Sequence, residues 1–153
     1  MTSTLAQLLV AHVILGLLGI TFFVMVTVSL MRGQLRLRFI QWSAFLGLVS
    51  FIASWVTGGY YYATYYGKAV KPIIKAGQYP WVHNFVMEAK EHVFLIIPFI
   101  AASVWLASWL LGDSFEALPG LKRAALFLSW TIVILGVAIT ISGMVISGAV
   151  IPK

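Results

Sequence analysis

Residues 93–112 read Val93-Phe94-Leu95-Ile96-Ile97-Pro98-Phe99-Ile100-Ala101-Ala102-Ser103-Val104-Trp105-Leu106-Ala107-Ser108-Trp109-Leu110-Leu111-Gly112, without one charged side chain. An uncharged apolar run of about twenty residues is what a helix needs to cross a hydrocarbon layer about 30 Å thick. Directly before it stands Trp81-Val82-His83-Asn84-Phe85-Val86-Met87-Glu88-Ala89-Lys90-Glu91-His92. That stretch holds two of the three histidines, two of the four acids and one lysine. Ionisable groups at the mouth of a spanning helix are costly there, and they mark pathways or binding sites.

Three further apolar runs lie on either side: Leu5 to Met31, Phe39 to Tyr65 and Leu121 to Val150. They predict helices at about 5–31, 39–65, 82–111 and 121–150. The expected fold is all-α, an integral membrane four-helix up-and-down bundle forming a single domain over residues 1–153. Composition agrees, with 61% hydrophobic and 9% charged residues, where a soluble domain carries about 25% charged. The runs lack the alternation of barrel strands, so helices are the way to satisfy the backbone in lipid. The first run is too long for a signal-peptide core and lacks a basic start and a cleavage site, so it is expected to be retained.

The segments between the runs carry the remaining polar residues. A basic turn, Arg32-Gly33-Gln34-Leu35-Arg36-Leu37-Arg38, follows helix 1. Helix 2 has Ser50, Ser54 and Gly58 at intervals of four, a small-residue face for close helix approach. It ends in tyrosines from Tyr60 to Tyr66, read as an interfacial aromatic belt. The segment from Gly67 to Pro80 is expected to be the longest loop, and Pro98 is expected to kink helix 3. Helix 4 carries Gly136, Thr140, Gly143 and Ser147 as a second close-packing face.

Absences narrow the chemistry. The chain has no cysteine, which removes disulfides, iron–sulfur clusters and thiol catalysis. No GxSxG, HExxH or phosphate-binding glycine loop is present. Paired broken helices of the transporter kind are missing as well. The net charge of +6 comes from loop and helix-end residues, which suit lipid head groups and form no nucleic-acid stripe.

Calling the side where helix 1 begins side A, the up-and-down order brings five features together there. They are His12, the tyrosine-rich end of helix 2, the Gly67–Pro80 segment, the His83–His92 cluster and the end of helix 4. Side B holds Arg32, Arg36, Arg38, Lys122 and Arg123, against Lys68, Lys71, Lys75, Lys90 and Lys153 at side A. The tight triple-arginine turn favours side B as cytoplasmic, with the cluster facing the periplasm or outside of a bacterial or archaeal inner membrane.

At about 100° per residue, Glu88 and His92 share one helix face with Glu91 about 60° further round. Those three are expected to face the bundle, with His83 and Lys90 as the rim. Three functional readings follow. In the first, His12 and His92 are axial ligands of one b-type haem, with His83 the next candidate; Gly16, Gly19, Gly47 and Gly143 give room for the ring. In the second, His12 and His92, with Glu88 and either Glu91 or His83, hold a single zinc, iron or copper ion. In the third, a quinone headgroup binds at side A, with Glu88, Glu91 or His92 relaying protons and tyrosines walling the ring. The alternative without function is an interfacial helix start with solvated acids.

From Arg32-Gly33 onward the layout resembles small four-helix membrane proteins of haem handling and cytochrome oxidase maturation. The resemblance rests on that Arg-Gly turn, the tyrosines ending helix 2, His92 followed by Pro98, Lys122-Arg123, and Ser142-Gly143 in helix 4. It also extends to four-helix b-type membrane cytochromes. The family has further histidines where this chain has Arg36 and Arg38, and helices 2 and 4 here have none. The resemblance therefore implies at most one haem, and a role in electron transfer, with quinone or with other membrane subunits as partners. A non-catalytic small subunit or assembly factor of a respiratory complex is the other role expected.

Overall fold

A computed structural model describes residues 2–32, 36–112 and 114–150; Gly33, Gln34, Leu35, Asp113 and Lys153 lie outside the described residues. The chain forms α1 (Ser3–Met31) and α2 (Leu37–Tyr61), and α2 continues without a break as a π-helix (Tyr62–Val70) and α3 (Lys71–Ala76). After a short turn, a second π-helix (Val82–Met87) leads into α4 (Glu88–Leu110). The short α5 (Ser114–Ala117) then precedes α6 (Pro119–Gly148). Four helical units, Ser3–Met31, Leu37–Ala76, Val82–Leu110 and Pro119–Gly148, are long and apolar enough to cross a membrane. The protein is an all-α four-helix membrane bundle.

Each long helix packs on two others, in the cyclic order α1, α2, α4, α6. The α1–α2 contact is reciprocal. A Cβ on Gly19 would stand 2.6 Å from the Phe51 ring, and one on Gly47 would stand 2.7 Å from the Phe23 ring. Each helix thus offers a notch and a phenyl ring four residues apart, and the two rings stack with centroids 5.9 Å apart. On the α1–α6 side, Gly136 receives Ile20 in the same way. Hydroxyls in the apolar spans turn back onto their own helices, as Thr27 does to the Phe23 carbonyl at 2.7 Å and Thr140 to that of Gly136 at 2.9 Å. Such bonds satisfy groups for which lipid has no partner.

One difference from expectation matters for the site. The Gly67–Pro80 segment is mostly helix, because nothing stops α2 before Gly77; Pro72 sits within the first two positions of α3, where its missing N–H costs little. The unit Leu37–Ala76 has 40 residues, so at 1.5 Å per residue it is about 60 Å long, twice the hydrocarbon thickness. Its last part therefore reaches beyond the hydrocarbon layer on side A. There it builds a second, small core of Tyr66, Ile74, Val82, Met87 and Ile146, separate from the main core around Phe23, Phe51, Ile97 and Ile132. α4 runs on through Pro98 without ending.

Candidate functional site

Between the two cores lies a layer of polar side chains. His12 sits nineteen residues before the end of α1, about 28 Å from side B and so at the edge of the hydrocarbon. Its Nδ1 lies 2.8 Å from the Ser54 carbonyl and 3.0 Å from Ser54 Oγ, while Ser54 Oγ donates to the His12 carbonyl at 2.9 Å. A carbonyl can only accept, so these bonds assign the proton to Nδ1 and leave the Nε2 lone pair for another partner. Gly58 provides the surface for the imidazole, whose ring occupies the place a Cβ would take. Phe94 of α4 meets the same ring edge-on, with centroids 6.0 Å apart.

Lys90 comes from α4 and is partly buried. Its Nζ reaches α6, where a Cβ on Gly143 would stand 3.7 Å away. Both His12 and Glu91 are within its electrostatic reach. Glu91 has one carboxylate oxygen, Oε1, buried without a hydrogen-bond partner, and Tyr62 lies beside this carboxylate. Tyr62 stacks on Tyr66 with centroids 5.2 Å apart. The Tyr66 hydroxyl is 3.1 Å from Nδ1 of His83. His83 is 1% exposed, and its Nε2 is a second buried atom without a partner. Buried polar atoms are normally paired, so two orphans on one helix start call for an explanation.

Several expected orientations are corrected. His83 and Lys90, expected at the rim, turn inward. Glu88 and His92, expected to face the bundle, are exposed, and His92 Nδ1 bonds the Glu88 carbonyl of its own helix at 2.7 Å. Glu91 alone of the three acid-face residues points into the layer. For Lys90, Glu88 and His92 the physical reason is helix phase, while Glu91, about 120° from Ile97, reaches the layer from its flank beside Tyr62. The buried side of α4 runs through Ile97, Ala101, Val104 and Ser108. At about 100° per residue, Lys90 lies only about 20° from Ile97, whereas Glu88 lies about 180° and His92 about 140° away. Stepping back from the apolar core by threes and fours leads to Lys90, Met87 and His83. That signal was present in the sequence, but grouping the acids with His92 obscured it. Ser54 and Tyr66, the hydrogen-bond partners of two histidines, carried no comparable mark among many serines and tyrosines.

His92, expected to pair with His12, is exposed with Nδ1 on its own helix, whereas the α4 side chain that meets the His12 ring is Phe94. Of the glycines expected to open room for a haem ring, Gly19 and Gly47 are filled by Phe51 and Phe23. Among the described residues no group of three His, Asp or Glu side chains converges as a metal site. Comparison with family models, with curated proteins and with solved structures found no match.

Proposed function

We propose that this chain is a small membrane subunit of electron-transfer machinery that binds a quinone-class headgroup in the polar layer at side A. The observation that carries the proposal is the pair of buried, unpartnered atoms His83 Nε2 and Glu91 Oε1, placed beside the stacked rings of Tyr62 and Tyr66. A quinone enters from the bilayer, has a flat ring suited to an aromatic wall, and ends in oxygens that need hydrogen-bonding groups. His83 Nε2 can donate to a quinone carbonyl when Nδ1 accepts from Tyr66, and the Glu91 carboxylate can accept from a quinol hydroxyl. Oxidation of a bound quinol releases two protons and two electrons. Glu91 takes one proton, and His83, in the tautomer whose Nδ1–H donates to the Tyr66 oxygen and leaves Nε2 free, takes the other; the electrons pass one at a time to a one-electron carrier of the partner machinery. Lys90 lies within electrostatic reach of the same carboxylate.

Titration of the protein in nanodiscs with a short-chain ubiquinone tests this reading through quenching of tryptophan fluorescence. Saturable quenching, weakened about tenfold by Glu91→Gln or His83→Leu, is expected, the size of one lost hydrogen bond to a charged or buried group. Equal, unsaturable quenching in all three proteins would overturn it.

A haem-linked version of the role, electron transfer through one b-type haem, is favoured by the tautomer of His12, which leaves Nε2 as a ligand nitrogen held by a backbone carbonyl behind it. The reduced visible spectrum decides it. Low-spin haem bands lost in His12→Ala support this version, and a spectrum without haem bands removes it.

A further inference from the structure

We infer that the outer face of α4 is an interface with a second copy of this chain inside the membrane. The face is a stripe of Glu88, His92, Leu95, Phe99 and Leu106, preceded by Phe85 of the adjoining π-helix, all exposed. From Phe85 to Phe99 they follow one another at alternating steps of three and four, the spacing of a helix–helix seam. Phe85 is 73% and Phe99 75% exposed. Apolar side chains alone would be at home against lipid tails. Glu88 and His92 would not. His92 stands eighteen residues before Leu110, about 27 Å from the side-B end of α4, and Glu88 about 33 Å. His92 is therefore within the hydrocarbon layer and Glu88 at its rim. Ionisable groups at such depth face protein or water and pair with one another.

The occupant follows from the pairing rule. An acid and an imidazole one turn apart on one face make that face complementary to itself about a twofold axis along the membrane normal. Glu88 of one copy meets His92 of the other, and the reverse contact forms at the same time. Within a chain, His92 already spends Nδ1 on the Glu88 carbonyl, which directs Nε2 outward. One proton shared between Nε2 and the opposing carboxylate leaves each pair neutral overall. The inference is independent of the quinone reading, which rests on other atoms, His83 Nε2 and Glu91 Oε1 beside Tyr62 and Tyr66.

The chain has no cysteine, so single cysteines report without background. Leu95→Cys and Phe99→Cys on the stripe are compared with Ile134→Cys and Met144→Cys, at exposed positions of α6, by oxidation in intact membranes. The stripe positions are expected to give a band at twice the 16.9 kDa chain, and the α6 positions are not. In a second arm, Glu88→His and His92→Glu copies with different tags, each with Phe99→Cys, are expressed together. Mixed dimers are expected to exceed either self-pair by roughly threefold or more, the usual size of an interhelical polar pair. A contact within one helix predicts no such preference. Equal cross-linking on both faces, cross-links to a different protein, or mixed pairs no commoner than self-pairs would overturn the inference. The first arm uses chains with both charged positions intact, so it stands even if the charge variants fail to fold.

Discussion

At the scale of single residues, His12 shows how a polar group is held at the edge of hydrocarbon. Ser54 satisfies its Nδ1, Phe94 bounds its ring, and Gly58 leaves the space the ring fills. A methyl at position 58 must displace the imidazole, so Gly58→Ala is expected to destabilise the protein by about 1–3 kcal/mol, as overpacking does. Gly59→Ala is the control, since a Cβ there meets nothing within 4 Å. Thermal unfolding in mild detergent should show a lower midpoint for the first and an unchanged one for the second. Lys90 tests the cost of function at the same scale. Removing a partly buried cation in favour of an apolar chain of similar volume is often neutral or stabilising. Lys90→Met is therefore expected to match or exceed the wild-type unfolding midpoint while weakening quinone binding; a clear loss of stability with unchanged binding would assign Lys90 a structural role.

At the scale of elements, the apolar runs made the four helices legible, because length and lack of charge alone settle what can cross a bilayer. Helix phase was legible too, but only from the apolar side. Ile97, Ala101, Val104 and Ser108 point to Lys90, whereas the cluster of ionisable residues points to Glu88 and His92. A polar cluster cannot set its own phase, since each polar residue could face a site, lipid head groups or another chain. The continuation of α2 to Ala76 was hidden by Gly67 and Pro72, which usually mark loops but here fall in a π-helix and in the first turn of α3. The α1–α2 contact was legible only as small residues; its interlocking with Phe23 and Phe51 needed the third dimension. Gly47→Ala places a methyl against the Phe23 ring and is expected to cost about 1–3 kcal/mol, read as a lower unfolding midpoint. An additional Phe23→Leu exchange, which removes the ring, should recover part of that loss.

At the scale of the whole molecule, the bundle consists of a main core within the membrane, a small core beyond it on side A, and the polar layer between them. The inward turn of Lys90 also removes it from the side-A surface. The expectation from the sequence that basic side B, with Arg32, Arg36, Arg38, Lys122 and Arg123, is the cytoplasmic face has a direct test. A Gln78→Cys chain, with the cysteine in the exposed side-A turn, is expected in intact cells to react with a membrane-impermeant maleimide added outside; reaction only after the membrane is opened would reverse the orientation. The central claim is that the orphaned atoms of the polar layer bind a quinone-class headgroup. Its most direct measurement is the short-chain ubiquinone titration in nanodiscs for the wild type, Glu91→Gln and His83→Leu. The account predicts saturable binding that weakens about tenfold in each variant; identical, unsaturable partitioning in all three would contradict it.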